Sequence, residues 1–334
     1  MAKQIGMDLG SSNTMVFLKD RGIVMRAPSV VTIDRYTHEV IASGMGAKKM
    51  LGKTPPSIRA LRPLKDGVIT DLEVTSLMVH DFFRKLELTG FFNRPSVLVS
   101  IPYGVTEVER RAVEDAIVEA GAKSVDLMDE PIAAAVGAGI QVSKARGAML
   151  VDLGGGVSEA AVISLGGIVQ SNSLRIAGDE LDLAIVNYLK QHRNILIGEI
   201  TAELLKKRLG TAVPDLDRGT MTVCGRDLGS RLAVTAEIST REIYAAMREP
   251  IGEIISMIKT TLEETPPELS ADIYDIGIVM VGGSALIPGL QQAIHERTGV
   301  RVTVAKHPLD CGCLGLGQML RSTGGEFSKV RENH

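Results

Sequence analysis

Two short glycine-rich segments carry residues suited to binding a phosphate group. Residues 8–14 read DLGSSNT and residues 152–156 read DLGGG. A turn of glycine and small hydroxyl residues presents backbone N–H groups to an anion, and consecutive glycines allow a close approach. Asp8 and Asp152 precede the turns, and Mg²⁺ prefers one or two carboxylates with phosphates and waters. If the two turns face each other, they would hold a polyphosphate and its Mg²⁺ from both sides.

Two further segments could complete such a site. Val281-Gly282-Gly283-Ser284-Ala285 follows an apolar run and precedes a predicted helix, where a nucleoside or its first phosphate could rest. Glu130 begins a predicted helix rich in alanine, and a carboxylate there could position a hydrolytic water. Taken singly, a D-x-G turn is typical of an ordinary hairpin, and an acidic residue is typical of any helix N-terminus.

An internal repeat strengthens the functional interpretation of the two turns. Residues 5–24 and 150–169 share the triplets DLG, at an offset of 144, and GIV, at an offset of 145. Each copy predicts a strand, a turn and a second strand. The repeat indicates two related domains, one beginning near residue 1 and the other near residue 147.

The elements around the turns predict an α/β fold with a mixed sheet in each half. Thr106-x-x-Glu109 and Ser239-x-x-Glu242 are capping boxes, and Asp179 is a candidate cap for a third helix. Thr201 and Gly210 bracket a short helix. The apolar runs 97–101, 149–153 and 276–281 are typical of strands buried on both faces. Residues 36–66 and 211–235 are rich in turn residues and predict small inserted lobes.

Composition excludes several classes of protein. The 334 residues carry 37 Lys and Arg against 40 Asp and Glu, so a net charge of −3 argues against nucleic-acid binding through a basic face. An apolar fraction of 45% excludes wholesale disorder. Three Cys favour a reducing compartment, with Cys311 and Cys313 as small buried residues. The six His are scattered, which argues against a histidine metal site.

The order of these motifs resembles a known superfamily. DLGSSNT, MDEP, VDLGGGVSE, AGDE and VMVGGSAL resemble the actin/Hsp70/sugar-kinase ATPases. GIVMRAPSVV, RPLKDGVITD, TEVERRAV, VISLGGIV, ILIGEITAE, GRDL and TPPELSADI are similar to the MreB/Mbl family of bacterial actin homologues. The resemblance extends from about residue 5 to about residue 320.

The resemblance implies an actin-like ATPase fold with a nucleotide cleft between two domains. Domain I would comprise residues 1–142 and 315–334, with an inserted lobe at about 32–75, and domain II residues 143–314, with a lobe at about 182–250. It implies binding of ATP and Mg²⁺, ATP hydrolysis, self-assembly into filaments and a role in rod shape through cell-wall elongation. It further implies a cytoplasmic location at the inner face of the cell membrane, with MreC, MreD and RodZ as partners and no nucleic acid.

The family pattern also implies roles for individual residues. Asp8, Glu130 and Asp152 match catalytic positions, and Asp8 and Asp152 would hold the metal through water. The nucleotide would contact Ser11, Ser12, Asn13, Thr14, Gly154, Gly155, Gly156, Val157, Ser158, Gly178, Asp179, Glu203, Lys206, Gly282, Gly283, Ser284 and Ala285.

Four residues depart from the family pattern. Val157-Ser158 stands where the family has Thr-Thr, Asp129 replaces a glutamate, and Ser284 replaces a glycine. Valine has nearly the shape of threonine but makes no hydrogen bond, whereas backbone N–H groups still bind phosphate. We therefore expect nucleotide binding with slow hydrolysis.

A pair of phenylalanines predicts a contact outside the nucleotide site. Residues 75–88 predict an amphipathic helix with more apolar residues than one buried face requires. Phe91 and Phe92 follow it, between Gly90 and Pro95. They are compatible with core packing or with a membrane or partner contact, and the family resemblance, with its hydrophobic loop at this place, favours the membrane.

Three other functions are compatible with the superfamily. A small-molecule kinase would need a substrate base in the cleft, and Glu130 is the one candidate. A chaperone-like ATPase would need a peptide-binding domain. A hydrolysis-poor regulator that assembles with active relatives would agree with Val157.

Overall fold

The computed structural model describes residues 3–90 and 93–322, which form two compact units. The first unit takes the described residues up to Lys144 and those from Leu309 onward, and the second is Ala145–Pro308. The predicted boundary at residue 315 falls inside the last helix, which lies as a whole in the first unit. Each unit contains its own hydrophobic core.

The first unit is built on a five-stranded mixed sheet. Its elements in chain order are β1 (Gln4–Leu9), β2 (Asn13–Leu18), β3 (Gly22–Pro28), β4 (Val31–Asp34), β5 (Val40–Ser43), α1 (Met45–Lys48), β6 (Ile58–Leu61), β7 (Leu64–Lys65), β8 (Val68–Ile69), α2 (Leu72–Lys85), β9 (Ser96–Ile101), α3 (Glu107–Glu119), β10 (Ser124–Asp129) and α4 (Glu130–Gly137). The order of the main sheet is β10-β9-β1-β2-β3. Strands β4 to β6 form a separate small sheet within the predicted lobe.

The second unit repeats this plan. Its elements are β11 (Ala148–Leu153), β12 (Ser158–Ser164), β13 (Gly167–Leu174), α5 (Gly178–Arg193), β14 (Ile195–Leu196), α6 (Glu199–Leu209), β15 (Thr220–Asp227), β16 (Ala233–Ser239), α7 (Thr240–Glu263), α8 (Pro267–Ile276), β17 (Ile278–Val281), a 3₁₀ turn (Ser284–Leu286), α9 (Leu290–Thr298) and β18 (Val302–Val304). The main sheet has the order β13-β12-β11-β17-β18, and β14 to β16 form a small sheet.

The two main sheets share one pairing pattern, as the sequence repeat predicts. In each, the first strand pairs antiparallel with the second and parallel with a strand that comes later in the chain: β1 with β2 and β9, and β11 with β12 and β17. The first strand is therefore central, and the turn after it lies at the edge of the sheet where the parallel strands end.

Helix α10 (Cys311–Ser322) completes the first unit and packs through its glycines. A Cβ on Gly315 would overlap the carbonyl oxygen of Ala133 on α4, and one on Gly317 would lie 2.5 Å from the Phe17 ring. From the sheet side, a Cβ on Gly6 would lie 2.8 Å from the Cβ of Leu316. Glycine at these positions lets two helices and a sheet approach more closely than side chains permit. Cys311 and Cys313 are buried in the same helix, as predicted.

The ends of these helices follow the predicted chemistry with two differences. Both capping boxes are present, at Thr106 with Glu109 and at Ser239 with Glu242. The prediction that Asp179 caps a helix is wrong, because α5 begins at Gly178 and Asp179 lies in its first turn, where a carboxylate is favourable to the helix dipole. Helix α6 begins two residues before Thr201.

Helix α2 corrects the prediction of surplus apolar surface. Asp71 caps it, so it begins three residues earlier than predicted. Phe82 and Phe83 are both buried, because α2 packs against the core of the main sheet and also against β5 of the small sheet. Within the described residues, no helix combines the length and apolar character needed to cross a bilayer.

Candidate functional site

Backbone hydrogen bonds fix the turn between β1 and β2 as a short loop at the edge of the sheet. The Gly10 N–H donates to the Asn13 carbonyl (3.1 Å), and the Ser29 N–H donates to the Ser12 carbonyl (3.0 Å). Thr14 is fully buried, with its hydroxyl 2.8 Å from the hydroxyl of Ser29. The side chain of Thr14 therefore supports the turn from below, and the exposed residue at its tip is Asn13.

Ser11 also faces inward. Its side chain is buried, and its hydroxyl accepts a hydrogen bond from the Gly67 N–H at 2.9 Å. Gly67 lies in the turn between β7 and β8, so Ser11 joins the first glycine turn to that hairpin. The sequence predicts a nucleotide contact for Ser11 and gives no sign of this bond, because Gly67 is 56 residues away.

Asp8 lies at the same sheet edge, beside the parallel strand β9. It pairs in register with Ser100, whose hydroxyl lies 3.4 Å from its carboxylate. Burial raises the pKa of Asp8 to about 6, and the hydrogen bond from Ser100 offsets part of that rise. The first turn of α10 approaches closely, since a Cβ on Gly312 would lie 2.8 Å from Asp8 Oδ2. Glu130 begins α4 directly after β10, the outer strand at this edge.

The turn between β11 and β12 repeats the closing bond of the first turn. The Gly154 N–H donates to the Val157 carbonyl at 3.0 Å, at an offset of 144 residues from the Gly10–Asn13 bond. Ser158, the counterpart of Thr14, is fully buried and donates its hydroxyl to the Ile176 carbonyl at 2.7 Å. In both copies a buried hydroxyl thus fixes the base of the turn.

Four segments of the second unit meet around Gly178, the first residue of α5. Gly178 and Asp179 donate their N–H groups to the carbonyls of Gly154 (3.2 Å) and Gly155 (2.7 Å). The Ser284 hydroxyl donates to the same Gly154 carbonyl (3.1 Å), and Lys206 donates to the Gly178 carbonyl. The second glycine turn, the start of α5, helix α6 and the third glycine segment are thereby brought together, as the predicted site requires.

Gly282 places the third glycine segment against the second aspartate. Its φ angle is +83°, and a Cβ there would overlap the Leu153 carbonyl oxygen and lie 2.6 Å from Asp152 Oδ1. Only glycine combines this backbone conformation with so close an approach. Gly283 leads into the 3₁₀ turn, in which Ser284 and Ala285 are buried.

Helix α6 carries two residues that the sequence predicts for the site, Glu203 and Lys206, and Lys206 pairs with a residue of α5 that the sequence does not predict. Lys206 forms a 2.9 Å ion pair with Asp182 of α5; the Asp182 side chain is buried and that of Lys206 is largely shielded from water. Glu203 pairs with Lys207 at 2.6 Å on the same helix. Asp182 was not predicted as a site residue, although its spacing of four residues from Gly178 puts it on the same face of α5.

The predicted site residues thus fall into two groups, one in each unit. Those of the first unit are Asp8, Ser11, Ser12, Asn13, Thr14 and Glu130, and the other residues predicted for the nucleotide site lie in the second unit. Phe91 and Phe92 lie outside the described residues. Among the residues that the structure describes, no three His, Cys, Asp or Glu side chains form a metal cluster. A Mg²⁺ held by single carboxylates, water and phosphate needs no such cluster.

The residues present fit a nucleotide with its Mg²⁺. The space beside Gly178 is one that a Cβ would fill, lying 3.1 Å from the Ser284 hydroxyl and 3.3 Å from the Lys206 ammonium. The Ser284 hydroxyl, the Lys206 ammonium and the backbone N–H groups of the glycine turn are hydrogen-bond donors. Phosphate and sugar oxygens accept hydrogen bonds from donors of this kind. Asp152 in this unit and Asp8 in the first unit each carry carboxylate oxygens, the kind of ligand that Mg²⁺ prefers.

Comparison with solved structures gives the class of protein. The chain is similar to MreB 5 of Spiroplasma citri bound to AMPPNP, with a TM-score of 0.91 and 35% identity, covering 100% of this chain and 99% of that one. Together with the repeated five-stranded sheets, this likeness defines an actin-like ATPase fold, as the sequence predicts.

Sequence comparison gives the family. The model described as MreB/Mbl protein matches residues 2–326. The chain is 44% identical to the cell shape-determining protein Mbl of Bacillus subtilis, over 96% of each chain. It is also 44% identical to the cell shape-determining protein MreB of Escherichia coli, over 96% of this chain and 93% of that one. The chain belongs to the MreB/Mbl family, which does not support the kinase and chaperone alternatives.

Proposed function

We propose that this protein is a nucleotide-dependent cytoskeletal subunit that binds ATP with Mg²⁺ and assembles into filaments on the inner face of the cell membrane. The filaments organise cell-wall elongation and so help determine rod shape, with MreC, MreD and RodZ as partners. The observation that carries the proposal is the meeting of four predicted nucleotide-binding segments around Gly178. The names of the relatives, which are cell shape-determining proteins, support the cellular role.

The proposal gives each half of the site its own task. The backbones of the two glycine turns bind the phosphates, through Ser12 and Asn13 in one unit and Gly154–Val157 in the other. Asp8 and Asp152 hold Mg²⁺ through water, and Glu130 orients the attacking water. Lys206, Glu203 and the Gly282–Ala285 segment contact the nucleoside. The AMPPNP complex of the Spiroplasma citri relative supports nucleotide binding.

The first test is assembly on lipid. Purified protein is applied to an anionic lipid monolayer with Mg-ATP, with Mg-ADP or without nucleotide, and imaged by negative-stain electron microscopy. We expect filaments lying on the lipid in Mg-ATP. Absence of filaments under every condition, with Mg-ATP still bound in solution, would contradict the proposal and favour a subunit that assembles only with a related actin.

Replacing Phe91 and Phe92 by serine is expected to release the filaments from lipid. Burying two phenylalanines contributes about 3–6 kcal/mol per subunit, which is weak for one subunit but sums along a filament. The measurement is co-sedimentation with anionic liposomes in Mg-ATP. The matched control is Phe82→Leu, because Phe82 is buried in the core and contributes nothing to the surface. Unchanged liposome binding by the double serine variant would show that the anchor lies elsewhere.

Replacing Val157 by threonine is expected to raise the rate of phosphate release about tenfold or more. Val157 closes the second turn through its carbonyl, so the substitution adds a hydroxyl beside the phosphate site without disturbing that bond. One hydrogen bond made in the transition state contributes about 2.7–4 kcal/mol. The measurement is phosphate release at saturating Mg-ATP, with Val169→Thr at an exposed position of β13 as the control. An unchanged rate would show that the missing hydroxyl does not limit hydrolysis.

Val157 also favours a second candidate function. A subunit that binds ATP but hydrolyses it slowly would stabilise filaments of faster relatives by remaining in the ATP state. Mixing this protein with an active relative would then slow filament disassembly in proportion to the fraction added.

A further inference from the structure

The ammonium group of Lys206 is held at an electrostatically unfavourable place. Lys206 belongs to α6, and its ammonium lies beside the first turn of α5, where it donates to the Gly178 carbonyl and lies 3.3 Å from the Cβ position of that residue. The N-terminal end of a helix carries a partial positive charge, which repels a cation. The side chain is only 12% exposed, so it has also lost most of its hydration. Without compensation, the flexible lysine would turn outward to water.

Asp182 supplies the compensation. Its Oδ2 atom lies 2.9 Å from the Lys206 ammonium, and its side chain is 7% exposed. The ion pair crosses from α6 to α5, and α6 leads into the small sheet of the second unit. The pair therefore fixes Lys206 relative to the Gly154–Val157 turn, which the Gly178 and Asp179 N–H groups hold from the other side.

The second oxygen of Asp182 shows that the carboxylate is poorly placed for stability alone. Asp182 Oδ1 is buried and has no hydrogen-bond partner. A buried oxygen without a donor costs free energy, and a buried ion pair is often no more stabilising than apolar residues of the same volume. A carboxylate with one unsatisfied oxygen is therefore better explained by what it does to Lys206 than by its contribution to folding.

We propose that Asp182 is a positioning residue for the nucleotide: its ion pair holds Lys206 against the first turn of α5, beside the second glycine turn. The inference rests on the proposed function, because it assigns to Asp182 the placement of a lysine that contacts the nucleotide. Asp182 itself does not touch the ligand.

The test compares binding of Mg-ATP to four forms of the full chain by calorimetry, below the concentration at which filaments form. Asp182→Asn removes the charge at constant shape, and we expect its dissociation constant to rise about tenfold or more at pH 7.5, because Lys206 then loses the charged partner that holds it in place. Asp182→Glu keeps a carboxylate and is expected to restore part of the affinity. Arg193→Gln breaks the ion pair with Glu242 at the opposite end of α5 and is expected to bind like the wild type.

The pH profile separates positioning from a merely structural role. Burial raises the pKa of Asp182 to about 6, and Lys206 offsets part of that rise. The negative charges of Glu203 on α6 and Asp179 on α5 contribute to that rise, and the ion pair between α5 and α7 lies at the far end of α5. Above pH 6 the carboxylate is charged and holds Lys206; below it the carboxyl is neutral and releases the lysine. The wild type and Arg193→Gln should therefore lose more affinity between pH 7.5 and 5.5 than Asp182→Asn, and ionisation of the phosphates cancels in that ratio.

The outcomes are distinct. Binding by Asp182→Asn within about twofold of wild type, with a lowered melting temperature, would overturn the inference and leave the proposed function intact. Absence of Mg-ATP binding by the wild type would overturn the proposed function. Should Asp182→Asn fail to fold, Lys206→Met gives the same test, because its binding must then lose the extra dependence between pH 7.5 and 5.5.

Discussion

Replacing Gly315 by alanine is expected to destabilise the protein by more than about 3 kcal/mol. The new Cβ would overlap the Ala133 carbonyl oxygen and lie 2.6 Å from its carbonyl carbon, so the backbone of α4 or α10 must move. Overpacking that displaces the backbone lowers the free energy of unfolding by an amount at the upper end of the usual range. Urea unfolding and thermal melting of the purified variant measure the effect, and low recovery of folded protein would agree with it.

Gly252 provides the matched control for Gly315. Both glycines lie inside helices, but a Cβ on Gly252 in α7 would meet nothing within 4 Å. Gly252→Ala is therefore expected to stabilise the protein by about 0.5–1 kcal/mol, the ordinary gain of alanine over glycine in a helix. If both variants changed the free energy of unfolding alike, helix propensity and not the close approach of α4 and α10 would govern Gly315.

Replacing Gly282 by alanine is expected to weaken binding of Mg-ATP by at least about tenfold, which corresponds to about 1.4 kcal/mol. A Cβ at this position would lie 2.6 Å from Asp152 Oδ1 and overlap the Leu153 carbonyl oxygen, at a φ angle that alanine rarely adopts. Relief of the overlap must move Asp152 or the 3₁₀ turn that carries Ser284. Calorimetric titration of Mg-ATP gives the dissociation constant.

The variant Gly299→Ala is the control that distinguishes the effect of backbone strain from the effect of a displaced Asp152. The φ angle of Gly299, +72°, resembles that of Gly282, but a Cβ there would meet nothing within 4 Å. Gly299→Ala should lower the melting temperature through strain of about 1 kcal/mol and leave the affinity for Mg-ATP unchanged. Equal loss of affinity in both variants would mean that lower stability, and not displacement of Asp152, weakens binding.

The features that the sequence predicts well are those decided within a few residues. Each capping box is complete within four residues, and each glycine turn is closed by a bond between residues three apart. The internal repeat supports the prediction of each turn, because the same turn is expected 144 residues later in the chain. Local physical chemistry together with the family resemblance therefore predicts the two sheets and the glycine turns of the candidate site.

The features that the sequence does not predict depend on which helices and strands pack against each other in the folded chain. The hydroxyl groups of Ser11, Thr14 and Ser158 bond to partners that lie 15 to 56 residues away in the chain. The sequence alone therefore does not show that these hydroxyls support the turns and do not face a phosphate. The pairing of Asp182 with Lys206 requires the crossing of α5 and α6. Burial of both Phe82 and Phe83 requires a second layer over α2, which helical periodicity cannot show.

The position of α10 in the chain has a consequence for biosynthesis. Strands β1 to β10 leave the ribosome first, yet the helix that packs on β1, β2 and α4 through Gly315 and Gly317 is translated only after all of residues 145–308. Until then the first sheet exposes the apolar face that α10 covers, while the second unit already has its whole chain. The first unit therefore stays incomplete until the last helix leaves the ribosome, and during that time its exposed apolar surface favours aggregation.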